Sequence, residues 1–477
     1  MDENRIRAVV REVVQEVMLS APAAGRAATP AGPGSLAGVF QTVDEAVAAA
    51  RKAFGALSDV SIEKRKAIIQ ALRDVTLKHA EDFSRRTRDE TGMGRVDHKI
   101  RKHVGVAMTT PGVEALETKA WSGDHGLTIE EQAPWGVIGA VTPSTHPVPT
   151  MVCNTINFIA SGNTAVFAPH PAGKKVSAYA LDILNRAMMA AGAPPNCITC
   201  IAEPTIETAQ QMFTHPDVNL LLITGGPGVV KEAMKAPKRA ICAGPGNPPV
   251  VVDETADIRR AARAIIDGGA FDNNVLCIGE KEVFCVESVF NQLKAEMLAY
   301  NCVELTRPQI DALAEKAFGV KDATNCAGAR LSRDLVGRDA AVLARAIGLT
   351  VPESTMMLIG ETPFQHVFVH EEQMMPFLPL VRCRNVDEAI DMALKAEHGF
   401  KHTSIIHSTN IVAMSKMARL VNTTIFVKNG PSYAGDGAGG EGYSSYSIAT
   451  PTGEGITTPA TFTRKRRCAL IDYFRII

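Results

Sequence analysis

The sequence predicts an α/β protein built on parallel sheets and divided into more than one domain, and three observations carry this. Between about 134 and 253, short apolar runs alternate with helical segments: WGVIGAV, NTAVFA, a helix near 174–191, NCITCI, a helix near 205–213, VNLLLIT and PPVVVD. Near-continuous apolar strands spaced by helices are the pattern of βαβ units, whose parallel strands are covered on both faces. A second block of the same texture runs from 254 to 428, with helical patterns near 256–267 and 386–396 and strand patterns near 281–286, 364–369 and 403–407. Finally, 477 residues at 46% hydrophobic exceed what one simple core organises, since domains typically run to roughly 100–200 residues.

The chain opens on residues 5–19, where Ile6, Val9, Val10, Val13, Val14, Val17 and Met18 recur at helical spacing among Arg5, Arg7, Arg11, Glu12, Gln15 and Glu16. That is an amphipathic helix. A short, valine-rich helix has little intrinsic stability, so it should order by docking. Residues 20–36 are alanine, proline and glycine and read as a flexible linker. A tethered amphipathic helix reads as a targeting or partner-binding peptide in preference to a helix folded back on its own body. The folded body begins near Thr42, where Thr42-Val43-Asp44-Glu45 has the spacing of a capping box.

Lysine plus arginine (50) balances aspartate plus glutamate (51), so no global field draws the chain to nucleic acid or an anionic membrane. No run reaches the roughly 20 apolar residues of a membrane span, and the N-terminus lacks a signal-peptide apolar block, so a cytoplasmic protein is expected. The ten cysteines are scattered and are expected as thiols. Cys197 and Cys200 form a C-x-x-C pair without a second pair at zinc spacing, so no metal site is expected.

The segments FDNNVLCIGEKEVF (271–284), TPSTHP (142–147), GNTAVFAPHPAGKKVS (162–177), ITGGPGVV (223–230) and AGPGNPPVVVD (243–253) together resemble the aldehyde dehydrogenase superfamily, over essentially everything after residue 36. PSTHP, FAPHP, AGPGNPPVVVDETAD, HGFKHTS and the tail GGEGYSSYSIATPTGEGITTPATFTRKRRC narrow the resemblance to CoA-acylating members of the propanediol- and ethanolamine-utilisation type. It implies an aldehyde dehydrogenase-like fold. A doubly wound Rossmann-type nucleotide domain (37–116 and 134–253) joins an α/β catalytic domain (254–442) and a small β oligomerisation arm (117–133 and 443–477). It further implies a homodimer or homotetramer, located in the cytoplasm within a bacterial microcompartment, with residues 1–19 docking on a shell or core protein.

FDNNVLCIGE resembles the superfamily's nucleophile loop, which implies Cys277 as the nucleophile; the chemical reason for a cysteine there stands apart from the resemblance. An aldehyde must become tetrahedral before it expels hydride, and a thiolate both attacks and later leaves. The Cys277 N–H is a candidate oxyanion donor, and thiolate formation calls for a lowered pKa. By resemblance, Thr145 replaces the oxyanion asparagine of hydrolytic relatives, or is a plain loop residue. Thr142, Pro143, Ser144, His170, Gly225 and Gly226 line the strand ends where a nucleotide binds, and Glu372 holds the nicotinamide ribose. Where hydrolytic relatives carry the glutamate that activates water, this chain reads Cys242-Ala243-Gly244-Pro245. Without that base, the thiol of coenzyme A becomes the competent acyl acceptor. The resulting expectation is oxidation of a short aldehyde, propionaldehyde favoured over acetaldehyde, with NAD and CoA. Its rivals are a hydrolytic aldehyde dehydrogenase and an inactive shell-associated scaffold. His398 and His402 have the i, i+4 spacing of a metal pair, but Gly399 argues against a regular helix there. The basic run Arg464–Arg467 reads as a solvated or intersubunit face.

Overall fold

A computed structural model describes residues 36–475. The targeting helix expected at 1–19 and almost all of the linker at 20–36 lie outside the described residues. The chain divides into two compact units.

The first unit comprises the chain up to Glu90, Ile100–Ala243 and Tyr443 onward. Its core is an all-parallel six-stranded sheet. Counted in chain order from Val137–Thr142, the strands Thr164–Pro169, Ile198–Ile201, Leu220–Thr224 and Ala240–Ala243 give the order 3-2-1-4-5, with the short strand Val39–Phe40 added beside the third. This is the doubly wound Rossmann order, which reverses direction beside its first strand. The strands read as unbroken apolar runs because both faces are covered: every residue of Leu220–Thr224 is buried, as is every residue of the helix Pro147–Ala160. The helix Val43–Leu57 starts where the sequence places it, with the Thr42 hydroxyl accepting from the Glu45 N–H and the Glu45 carboxylate accepting from the Thr42 N–H.

A three-stranded antiparallel sheet forms from Lys119–Gly123, Gly126–Pro134 and Thr463–Ile471. Of the segments expected in the arm, 117–133 supplies most of two strands and the tail supplies only the last, Thr463–Ile471. Residues 443–462 instead belong to the core of the first unit, where Ser447 Oγ meets Thr224 Oγ1 at 2.7 Å and Phe462 stacks edge-on against Phe158.

The second unit comprises Thr91–Lys99 and Gly244–Gly442. Its seven-stranded sheet is also all-parallel and runs Cys302–Glu304, Met357–Glu361, Phe377–Cys383, Glu282–Val286, Pro249–Val252, Thr403–His407 and Ile425–Lys428. The PPVVVD run therefore belongs to the seven-stranded sheet, and the seam expected at 253 falls at 243. The cause is physical: a buried parallel strand has the same apolar texture in either sheet. The strand expected near 364–369 is a turn followed by the short helix Val367–His370, begun by His366, whose Nδ1 accepts from the Phe368 N–H. Short apolar runs do not distinguish strand from buried helix by periodicity alone. The neighbouring strands Met357–Glu361 and Phe377–Cys383 are the ones the pattern did not separate.

Candidate functional site

In the first unit, the carboxyl ends of Val137–Thr142 and Leu220–Thr224 lie side by side, at the point where the strand order reverses. Open α/β sheets bind their ligands in the crevice at such a point. Thr142, Pro143, Ser144 and Thr145 leave the first of these strands, and Gly225 and Gly226 leave the second. Thr142 is fully buried and its hydroxyl has no hydrogen-bond partner, an expense a folded protein rarely leaves unmet. Gly226 precedes the helix Pro227–Ala233, and a Cβ there would meet open space. The residues thus fit a nucleotide at this edge. His170 also belongs here, since its N–H donates to the Thr142 carbonyl at 3.0 Å. Its exposed ring is in use as a cap, with Nδ1 accepting from the Ala172 N–H at 3.1 Å. The Thr145 hydroxyl is paired with His146 Nδ1 at 3.0 Å.

In the second unit the chemistry gathers at the opposite, amino edge of the sheet. Four adjacent strands, those beginning at Phe377, Glu282, Pro249 and Thr403, are each entered by a segment bearing one component: Glu372, Cys277, Gly246 and His402. The segment before Cys277 is strained. Asp272, Asn273 and Asn274 have φ of 52°, 56° and 65°, a left-handed run tolerated best by asparagine and aspartate. Each is pinned. Asp272 accepts from the Arg95 N–H at 2.8 Å and from Lys99 Nζ at 3.0 Å. Asn273 Nδ2 donates to the Gly337 carbonyl at 2.9 Å and to Asp339 at 2.8 Å. Asn274 Nδ2 donates to the carbonyls of Gly269 (2.7 Å) and Glu280 (2.8 Å).

Cys277 emerges from this run half-buried. Burial, together with the nearby Glu372 carboxylate, pushes its thiol up to about 12, against smaller opposing effects of Lys281 and its own N–H. The lowered pKa expected from the sequence is not what these surroundings give, because burial and Glu372 outweigh Lys281 and the N–H. Glu372 is itself pushed up to about 7 by burial, opposed by Lys281 and by the Gly246 N–H. It is held in place through its neighbour Gln373, whose Nε2 donates to the carbonyls of Lys281 (2.9 Å) and Phe377 (3.1 Å). His402 is fully buried, and burial and Lys281 bring it down to about 4, so the ring is neutral. Its Nδ1 meets Thr403 Oγ1 at 2.9 Å, while Nε2 has no partner. A Cβ on Gly246 would lie 2.7 Å from the Cys277 carbonyl and 2.9 Å from the His402 ring. Only glycine allows that approach.

Against this geometry, the aldehyde dehydrogenase family model matches residues 37–307. The acetylating acetaldehyde dehydrogenase EutE of Salmonella typhimurium is 48% identical over 98% of this chain and 99% of its own. The chain belongs to the aldehyde dehydrogenase family, among its CoA-acylating members. A propionaldehyde dehydrogenase from the fucose-utilisation microcompartment of Clostridium phytofermentans matches with a TM-score of 0.89 at 44% identity, covering 92% of this chain and 100% of that one. The propionaldehyde dehydrogenase of Rhodopseudomonas palustris, solved with bound CoA and an acylated cysteine, matches with a TM-score of 0.88 at 44% identity, covering 91% and 98%.

For a member of this family, position 242 matters by what it is not. Cys242 lies within the strand Ala240–Ala243, fully buried in an apolar cluster, its thiol pushed up to about 11 mainly by burial. It offers no base. Sequence reasoning missed three groups that share the setting of Cys277. His402 was weighed only as half of a metal pair, and neither Gly246 nor the buried Lys281 was singled out. The one signal for them was position, each falling just before or at the start of an apolar strand. Among the described residues no cluster could hold a metal, and Cys197 and Cys200 are both buried, their thiols pushed up to about 12.

Proposed function

We propose that this aldehyde dehydrogenase converts a short aliphatic aldehyde to its acyl-CoA through a thioester on Cys277. The observation that carries this is the left-handed run Asp272–Asn274, pinned at each residue, that delivers Cys277; the apolar, base-free position 242 of the first unit supports it. Cys277 attacks the carbonyl carbon, and its own N–H faces the oxygen that becomes negative. NAD, when bound, accepts the hydride. Thr142, Pro143, Ser144, Gly225, Gly226 and His170 are the residues proposed to hold it, with Glu372 taking the ribose. Thr145 is the proposed side-chain donor to the oxyanion. Glu372, pushed up to about 7, is the group beside Cys277 able to take a proton near neutral pH, whereas His402 stays neutral there. The thiol of CoA then displaces Cys277, a reading supported by the bound CoA and acylated cysteine of the Rhodopseudomonas relative.

For the aldehyde, the solved propionaldehyde dehydrogenases support propionaldehyde, and the EutE relative supports acetaldehyde. Comparing kcat/KM for the two decides between them. A methylene in such a pocket is worth about 1–3 kcal/mol, so a clear ratio is expected. The microcompartment setting of the Clostridium relative supports encapsulation through residues 1–19. Deleting them should release the enzyme from purified compartments with turnover intact.

The test of the reaction is NADH formation from aldehyde and NAD with and without CoA, with the product identified by mass. CoA-dependent NADH and acyl-CoA are expected. Equal turnover to free acid without CoA would establish the hydrolytic rival, and no turnover with intact compartment binding would establish the scaffold.

A further inference from the structure

The thioester chemistry proposed above leaves Lys281 without a task, although the residue is fully buried beside it. A buried ammonium is costly unless its donors are met. Here all three have acceptors: the Asn274 carbonyl at 2.9 Å, the Leu276 carbonyl at 3.1 Å, and the Asn274 side-chain oxygen. Those acceptors lie within the segment that delivers the nucleophile. The Leu276 carbonyl is fixed further by the Gly279 N–H at 3.1 Å.

The Leu276–Cys277 peptide is trans, as are all those described. In a trans peptide the C=O and the following N–H lie in one plane and point in opposite directions. Anchoring the Leu276 carbonyl on Lys281 therefore turns the Cys277 N–H the other way. That is the side of its own sulfur, where the N–H already favours the thiolate.

We propose that Lys281 is a positioning residue: by holding the Asn274 and Leu276 carbonyls, it aims the Cys277 N–H at the oxygen of the bound aldehyde. When sulfur, its proton taken by Glu372, bonds to the carbonyl carbon, the C=O π pair moves onto that oxygen and meets a donor already in place. Its fixed positive charge acts in the same direction on the thiolate. The groups facing this pair come from every neighbouring segment: Glu280 and Glu282 from its own, Glu372, His402, and Asp436 from the turn at Ser432. His402 is neutral. Burial drives Glu280, Glu282 and Glu372 toward the uncharged acid and lowers Lys281 as well, so it is the three acceptors from Asn274 and Leu276 that hold Lys281 as the ammonium.

The inference rests on Cys277 as nucleophile, and the experiment separates the two. Lys281→Met, Lys281→Gln and Lys281→Arg are made in the full chain. Two readouts follow: the pH profile of iodoacetamide alkylation at Cys277, located by peptide mass, and kcat and KM for CoA-dependent NADH formation. Lys281→Met should lower kcat by about 100-fold, the scale of one lost oxyanion donor, with KM for aldehyde within about twofold. Its alkylation profile should move to higher pH, with Lys281→Gln intermediate and Lys281→Arg partly rescued. A folded Lys281→Met with wild-type kcat and an unmoved alkylation profile overturns the proposal. If Lys281→Met does not fold, the same two readouts on Lys281→Gln decide it. NADH formation by Cys277→Ala would overturn the nucleophile assignment itself, whatever the lysine variants do.

Discussion

The Lys99 ammonium lies 3.0 Å from the Asp272 carboxylate, with neither side chain more than 2% exposed. The pair ties the segment Thr91–Lys99 to the left-handed run that leads into Cys277, and Asp272 also accepts from the Arg95 N–H. Asp272→Asn keeps a residue that tolerates positive φ but leaves Lys99 buried beside a neutral partner. Removing one member of a buried pair costs about 3–5 kcal/mol. Urea unfolding should show that loss. A change below 1 kcal/mol would mean that the pair is solvated in solution.

Gly246→Ala tests the close approach behind the nucleophile. Its Cβ would fall 2.7 Å from a backbone oxygen, that of Cys277, and backbone cannot swing aside as a side chain can. Turnover is expected to drop at least 100-fold, because displacement of a reacting group by about 1 Å costs on that scale. Steady-state kinetics on the folded variant give the answer.

Glu372→Gln should make Cys277 more reactive toward iodoacetamide while turnover with NAD falls. The Glu372 carboxylate raises the thiol pKa, so removing its charge lowers that pKa. Since Glu372 is brought to about 7, the carboxylate is charged at pH 8 and mostly neutral at pH 6. Alkylation at pH 8 is expected to quicken by roughly threefold or more, and the difference should vanish below pH 6.

Glu280 links stability to pH. It is buried, receives the Ser432 N–H and hydroxyl at 2.8 and 2.7 Å, and is pushed up to about 7 by burial from an ordinary value of 4.5. The folded state therefore holds its proton more tightly than the unfolded chain. Its contribution is fully present below pH 4.5 and is lost as pH rises through 7. At about 1.4 kcal/mol per pKa unit, the loss is about 3 kcal/mol. Glu280→Gln should flatten the fall in unfolding free energy between pH 5 and 7 by about that much. An unchanged slope would assign the pH dependence to Glu372 or Glu397, which are raised to the same region.

Parallel strands buried on both faces announce themselves as apolar runs, so WGVIGAV, NTAVFA and VNLLLIT were legible, as was the cap at Thr42. What the pattern does not carry is sheet membership. PPVVVD reads the same in either unit, and only pairing with Glu282–Val286 and Thr403–His407 assigns it. The same blindness covers the surroundings of Cys277. Lys281 and His402 have no local signature, because what makes them notable is burial created by distant strands. The run Asp272-Asn273-Asn274 is the exception. Its residue types were visible, and three consecutive positive φ angles give the reason for them.

The two sheets use opposite rims, and for the seven-stranded sheet this has a practical side. Glu372, Cys277, Gly246 and His402 each enter from the amino rim on a short approach, whereas the far rim at Glu361 and Cys383, where two of the strands end, carries none of them. Approaches can be redesigned one at a time for a new aldehyde without re-registering a strand. The far rim, meanwhile, is the side on which to graft a dye, an affinity tag or a tether to the enzyme that supplies the aldehyde.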